Sequence, residues 1–295
     1  MFHSKGEPPF CLQWGSVLRV LDGGRNQPLL CQLVDDEGHI SAWVLKTANT
    51  VQGGPRSEFR VLAELAGAQV CLWTNLKVPR FGLVTVPDDC ASIIDSIPDE
   101  KHKVSARETL KTNAGKIAFA SEFIDFAPTL QANVIMNRMR NRPELLSQAT
   151  ALLMVDVFIR HSDRDVANPN ALIAPEGIVA IDHGDAFSGV LQPGTSGAAV
   201  AKNEILMSQI ESHVVWRVLK RHRANAPLSD VAAQLAAPSD DEIASLLASW
   251  PPALDDDASS SRSNLRERLA EFLLTRRGMV EILRSAILSR LQATK

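Results

Sequence analysis

Residues 159–187 read IRHSDRDVANPNALIAPEGIVAIDHGDAF, and the fold class depends on how this stretch is parsed. HSDRDVANPN, residues 161–170, holds two overlapping copies of one spacing, Asp163 with Asn168 and Asp165 with Asn170. Two short apolar runs follow, Ala171–Ile173 and Ile178–Ile181, separated by Pro175 and Gly177, the pattern of a hairpin. The second run leads into Asp182, His183 and Gly184. Asp and Asn supply hard oxygens matched to Mg²⁺, and a glycine after Asp182 lets the backbone turn sharply beside a metal. A polar loop of Asx turns before an ordinary hairpin would use the same residue types without chemistry. The recurrence of several parts in the required order favours the metal-binding loop, although spacing alone allows either Asp–Asn pair.

Upstream, Asn141–Arg160 carries ELLSQATALLMVDVFIR, apolar enough for a buried helix. Further back, Ser16–Leu21, Leu29–Val34 and Ile40–Lys46 are apolar runs separated by DGGRNQP and DDEG, which predicts an antiparallel meander. PRSEFRVLAELAGA predicts one helix, with Pro55 in its first turn, Phe59, Leu62, Ala63 and Ala66 at helical spacing, and Gly67 ending it. Val78–Val86 and Lys116–Ile124 complete a sheet of about five strands, with the polar stretch Pro87–Gly115 expected to include a mobile insertion, a short helix within it being the other possibility. From about Ala201 the pattern is helical, interrupted by the loop PPALDDDASSSRS. The expected architecture is α+β: a two-lobed, protein-kinase-like fold with a β-rich N-lobe at 1–124 and a helical C-lobe at 125–295.

The bulk numbers agree with two lobes. The chain has 295 residues, more than one compact core usually holds, with 45% hydrophobic and 22% charged residues. A formal charge of −3 and a pI near 6.2 exclude a general attraction to nucleic acid or anionic membranes. The basic cluster Arg217, Lys220, Arg221 and Arg223 is the one local exception, and usually such a cluster is a solvated helix face. Cys11, Cys31, Cys71 and Cys90 form no C-x-x-C pair and are expected as reduced thiols. Neither a leader-like h-region nor a run of roughly 18 apolar residues is present, so a cytoplasmic chain without membrane contact is expected. H-E-x-x-H, G-x-S-x-G and G-x-x-x-x-G-K-[ST] are all absent, which removes zinc proteases, serine hydrolases and P-loop enzymes.

Phosphoryl transfer from ATP requires a cation on the phosphates, hard ligands for Mg²⁺ and a carboxylate at the attacking hydroxyl. Lys46, closing the strand AWVLK, is the candidate cation; as an ordinary strand-end lysine it would lie in solvent. Glu58 on the next helix is the candidate partner for Lys46, with Glu64 as the other possibility. Gly23 and Gly24 lie in a turn that either covers phosphate or simply closes a hairpin, and DGG favours the hairpin.

These segments resemble the HipA-like kinases, specifically the compact branch without a long N-terminal extension. That family's catalytic segment reads approximately N-x-D-R-H-x-x-N-x-N-L-L, followed by a hydrophobic strand and I-D-H-G; here the match is HSDRDVANPNALI and VAIDHGDAF. Weaker similarity covers nearly the whole chain, through DGGRNQPLL, AWVLK, RSEFRVLAEL, FASEFI, ASWPP and LTRR. The resemblance implies an ATP- and Mg²⁺-dependent kinase that phosphorylates a protein serine or threonine, itself included. It implies Asp163 as the catalytic aspartate, Asn168 and Asp182 as metal ligands and Lys46 as the ATP lysine. Glu122, Phe123 and Ile124 would form the hinge beside adenine. A lipid or small-molecule kinase and a pseudokinase acting as a binding module are the alternatives. Two departures bear on these: His161 replaces the usual Asn, and Asp165 the usual His. Asp165 would add negative charge beside the metal, strengthening cation binding or raising a neighbouring carboxylate's pKa. AFSGVLQPGTSGAA, after Asp182, occupies the activation-loop position, where Ser188, Thr195 and Ser196 are candidate acceptor hydroxyls in a flexible loop.

Overall fold

The structure, a computed structural model, describes residues 2–21, 28–48, 59–95, 97, 99–190, 196–202, 207–254 and 265–293. Gly23, Gly24, Glu58 and Thr195 lie outside the described residues. The chain divides into two compact units, Met1–Leu65 with Pro79–Asp125 and Ala66–Val78 with Phe126–Lys295.

The first unit is built on six strands: β1 (Phe10–Cys11), β2 (Gln13–Val20), β3 (Leu29–Val34), β4 (Ile40–Lys46), β5 (Phe81–Thr85) and β6 (Ile117–Glu122). Their order is β1-β5-β6-β4-β3-β2, antiparallel apart from the β1–β5 pair. The additional strand relative to the sequence expectation is β1, whose two residues are too few to show periodicity. Val17, Cys31, Leu33, Trp43, Leu45, Val84, Ala118 and Ala120 form a buried face. That face is covered by Ile94, Ile97, Ala106 and Leu110. The stretch Pro87–Gly115 therefore follows the helical alternative and not the mobile insertion: it contains helices Ala91–Ile94 and Glu100–Thr112. Asp99 caps the second by accepting the His102 N–H at 3.0 Å. A narrow apolar stripe, Ala106 to Leu110, suffices to dock it.

The helix Arg60–Trp73 does not end at Gly67. A Cβ at Gly67 would lie 2.4 Å from the Cβ of His183, so the missing side chain there permits close packing, not termination. The helix ends where Asn75 adopts a left-handed φ of 55°, with the Asn75 and Leu76 N–H groups returned to the Leu72 and Cys71 carbonyls.

In the second unit the helix Glu144–Ile159 is buried over most of its surface, Leu145 to Ile159 being apolar apart from Ser147, Gln148, Thr150 and Asp156. Helices Trp216–Arg221, Leu228–Ala236 and Val280–Gln292 pack on it. So does a second sheet, the hairpin β7 (Ala171–Ala174) and β8 (Gly177–Ala180). The α+β architecture expected from sequence is observed, with sheet in the first part and mostly helix after it. No helix among the described residues is long and apolar enough to cross a membrane.

Candidate active site

In the first unit β4 ends at Lys46, opposite Phe119 of β6, so the lysine leaves an interior strand. Its Nζ donates to Glu64 Oε1 at 2.5 Å, with the two side chains 12% and 1% exposed. A carboxylate this dry requires a cation, which decides between a paired Lys46 and a solvated one. Glu64 is the acid that holds Lys46; Glu58 cannot be compared, because it lies outside the described residues.

At the other end of β6, the Glu122 N–H donates to the Arg80 carbonyl at 2.7 Å and the Phe123 N–H to the Ala42 carbonyl at 2.8 Å. Arg80 forks onto the Glu122 carboxylate through Nε and Nη2 at 3.1 and 2.9 Å, and its Nη1 reaches Asp35 at 3.2 Å. The hydrogen bond to Glu122 is the main cause of the raised Arg80 pKa. Glu122 thus ends a strand fixed by charge and sheet bonding, and Phe123 and Ile124 follow directly on it.

In the second unit both asparagines of the catalytic loop serve one aspartate. Asn168 Nδ2 donates to Asp163 Oδ2 at 2.9 Å, and Asn170 Nδ2 to the Asp163 carbonyl at 2.7 Å. Asp165 points elsewhere: its Oδ1 accepts the N–H groups of Ala167 and Asn168 at 2.7 and 2.8 Å, an Asx turn. Burial raises the Asp163 pKa, the Asn168 bond opposes this, and the neighbouring carboxylates Asp185 and Asp182 raise it further. Asp182 sits at φ 59°, a left-handed conformation that aspartate tolerates. The sharp turn expected at Gly184 therefore occurs at Asp182 itself.

A buried charge network fixes this loop. Arg164, 1% exposed, donates from Nε to Asp156 Oδ2 at 2.6 Å and from Nη1 to the Ile181 carbonyl at 3.2 Å. His213 Nδ1 accepts the Val215 N–H at 3.2 Å, so its proton is on Nε2, which donates to Asp156 Oδ2 at 2.8 Å. Burial works against ionised Asp156, but Arg164, His213 and His161 together hold its pKa well below the usual carboxylate range. His161 Nε2 donates to the Asp182 carbonyl at 3.0 Å, and burial pushes its pKa down to about 4, leaving it neutral near pH 7. The carbonyls of Ile181 and Asp182 are thus both held. The replacement of Asn by His at 161 keeps an N–H donor for this purpose. His183 Nε2 lies 3.3 Å from the buried Cys71 sulfur.

Asp156, His213 and Asp185 had no place in the sequence-based site. One signal was present: a lone aspartate in LLMVDVFI, where a buried helix must pair its charge. Among the described residues no group of three or more His, Cys, Asp or Glu is arranged to hold a metal by itself. Mg²⁺ needs less, since it takes one or two protein carboxylates and completes its shell with water and substrate phosphates. Asn168 and Asp182 fit that demand: Asn168 spends its amide nitrogen on Asp163 and keeps its carbonyl oxygen, while the crowding of Asp163, Asp182 and Asp185 favours a cation.

A family model described as HipA-like kinase matches residues 15–272. Among solved structures, the Helicobacter pylori proinflammatory kinase CtkA aligns at 12% identity with a TM-score of 0.47, covering 98% of this chain and 100% of that one. The MAP kinase LmaMPK10 from Leishmania major aligns at 14% identity with a TM-score of 0.27, covering 95% of this chain and 84% of that one. No curated protein sequence matches significantly.

Proposed function

The chain belongs to the HipA-like kinase family, and from that premise we propose that it transfers the γ-phosphate of ATP, with Mg²⁺, to a serine or threonine hydroxyl of a protein, its own chain included. The observation that carries this reading is the Asp163 constellation: one aspartate bonded by Asn168 and Asn170, with two further carboxylates beside it. Asp163 orients the acceptor hydroxyl and takes its proton, a role suited to a carboxyl whose pKa is raised. Asn168 and Asp182 hold the metal, which when bound offsets phosphate charge and orients the donor. Lys46, kept in place by Glu64, neutralises charge on the α- and β-phosphates. Glu122, Phe123 and Ile124 contribute backbone groups toward adenine. Arg164 and His161 act indirectly, by fixing the backbone that presents Asp182.

The departures at 161 and 165, which would favour a binding module without turnover, both have local structural roles and lend that reading no support. Incubation with ATP and Mg²⁺, read by ADP formation and by intact mass, tests the proposal. ADP formation with a mass gain on this chain or on an added protein is expected. ATP binding without ADP or phosphate transfer, across candidate protein substrates, would sink it; transfer only to a small alcohol would redirect it to small-molecule phosphorylation.

A further inference from the structure

Arg276, in the last turn of the helix Leu265–Gly278, is 1% exposed, and its Nε and Nη1 are buried without a hydrogen-bond partner. Its neighbour Arg277 is satisfied by Asp240 and the Pro238 carbonyl, and the acids of the same helix, Glu267 and Glu271, are exposed. Among the described residues Arg276 has the ring of Phe272, 5.5 Å from its guanidinium carbon, and no hydrogen-bond acceptor on Nε or Nη1. A cation–π contact offsets only part of the desolvation of a buried charge, and arginine cannot escape by losing its proton. Burial, with repulsion from nearby Arg160, lowers its pKa to about 10, still charged at neutral pH.

Arg160 reaches the same place from the C-terminal cap of the helix Glu144–Ile159. Its Nη1 donates to the Val200 carbonyl at 3.0 Å, on the helix Gly197–Lys202. That helix packs so closely on Leu265–Gly278 that a Cβ at Gly197 would lie 1.7 Å from the Arg268 carbonyl oxygen. Phe187 closes the other side, edge-on to Phe272 at 5.5 Å. Arg160 and Arg276 therefore come together beside Phe187 and Val200, with no carboxylate of the described residues among the groups that shift either.

We propose that Arg276 and Arg160 form a binding site for a phosphate-class dianion. The planar donor fork of guanidinium matches phosphate oxygens. Two positive charges call for a ligand near −2, and a phosphate monoester carries about −1.5 to −2 at neutral pH. Its source is either free phosphate or a phosphorylated hydroxyl of this chain, Ser188 or Ser196. This site is separate from the transfer chemistry and stands whether or not the chain is an active kinase.

The test uses the full chain, treated with phosphatase and shown by intact mass to carry no phosphate. Thermal unfolding is followed while potassium phosphate replaces potassium chloride at constant ionic strength. A saturating rise in Tm of about 2–4 °C is expected. Arg276→Met should abolish the rise while melting no lower than wild type in chloride, because it removes an uncompensated charge. Should Arg276→Met fail to fold, Arg160→Gln must raise the half-saturating phosphate concentration by about tenfold. In a second arm, protein carrying phosphate on Ser188 or Ser196 should already show the higher Tm and ignore added phosphate, which assigns the source to the chain. A response that persists in Arg276→Met, or no response from either source, overturns the proposal.

Discussion

Arg164 and Arg276 are both 1% exposed and both in the second unit, yet their surroundings are opposite. Arg164 lies against Asp156 at 2.6 Å and spends a further N–H on the Ile181 carbonyl, so its charge is balanced within the fold. Arg276 has an aromatic ring and a second arginine, and its Nε and Nη1 have no acceptor among the described residues. The first pattern is that of a rigid scaffold: the catalytic loop is held before any ligand arrives. The second is that of a site whose balance depends on something bound.

The contrast fails first if Asp156 proves dispensable. Asp156→Ala strands Arg164 and removes the acceptor of His213, and should cost about 3–5 kcal/mol in urea unfolding. Replacing both charges, Asp156→Leu with Arg164→Met, should recover most of that loss. A single-mutant cost below about 1 kcal/mol would mean that the network is not holding the loop.

Acid titration probes the same network more gently. His161 has a folded pKa near 4, below its ordinary value near 6.5. Above about pH 6.5 neither state binds the proton; between 6.5 and 4 the unfolded chain takes it up and the folded chain does not. Stability should therefore fall through that window, by up to about 3 kcal/mol, and level off below it. His161→Gln retains a donor for the Asp182 carbonyl and should flatten the slope of urea midpoint against pH. The window is distinct from that of Asp156, whose lowered pKa acts only below the usual carboxylate range. An unchanged slope in the variant would place the acid sensitivity elsewhere.

The smallest effect separates the two loop aspartates. Asp165→Ala deletes an acceptor shared by the Ala167 and Asn168 N–H groups, and should cost about 1 kcal/mol in a denaturant titration, as a lost cap does. A loss of several kcal/mol would show that Asp165 belongs to the buried network after all.

The parts legible in sequence are those set by local pattern. β3 and β4 have the bounds that their apolar runs predict, because turn residues flank both. The helix Arg60–Trp73 was visible, but its end was not: Gly67 reads as a stop, and only the packing of His183 against it shows another use. The helices within Pro87–Gly115 are only weakly marked, as one short helix at most, because a predominantly polar sequence can dock through a few residues. The Asp–Asn spacing of the loop Asp163–Asn170 is visible in sequence, whereas its supports are non-local: Asp156 meets His213 across 57 positions and Arg164 meets Ile181 across 17. The oxygens of Asp165 are fixed by hydrogen bonds to its own loop, which no spacing rule reveals.

The register of the loop is open to one comparison of turnover: ADP formation and phosphate transfer by wild type, Asp163→Ala and Asp165→Ala under identical ATP and Mg²⁺. With Asp163 at the attacking hydroxyl and Asp165 in a turn, Asp163→Ala should lose activity by at least about a hundredfold, and Asp165→Ala should stay within about tenfold of wild type. Activity retained without Asp163 but lost without Asp165 would contradict the assignment.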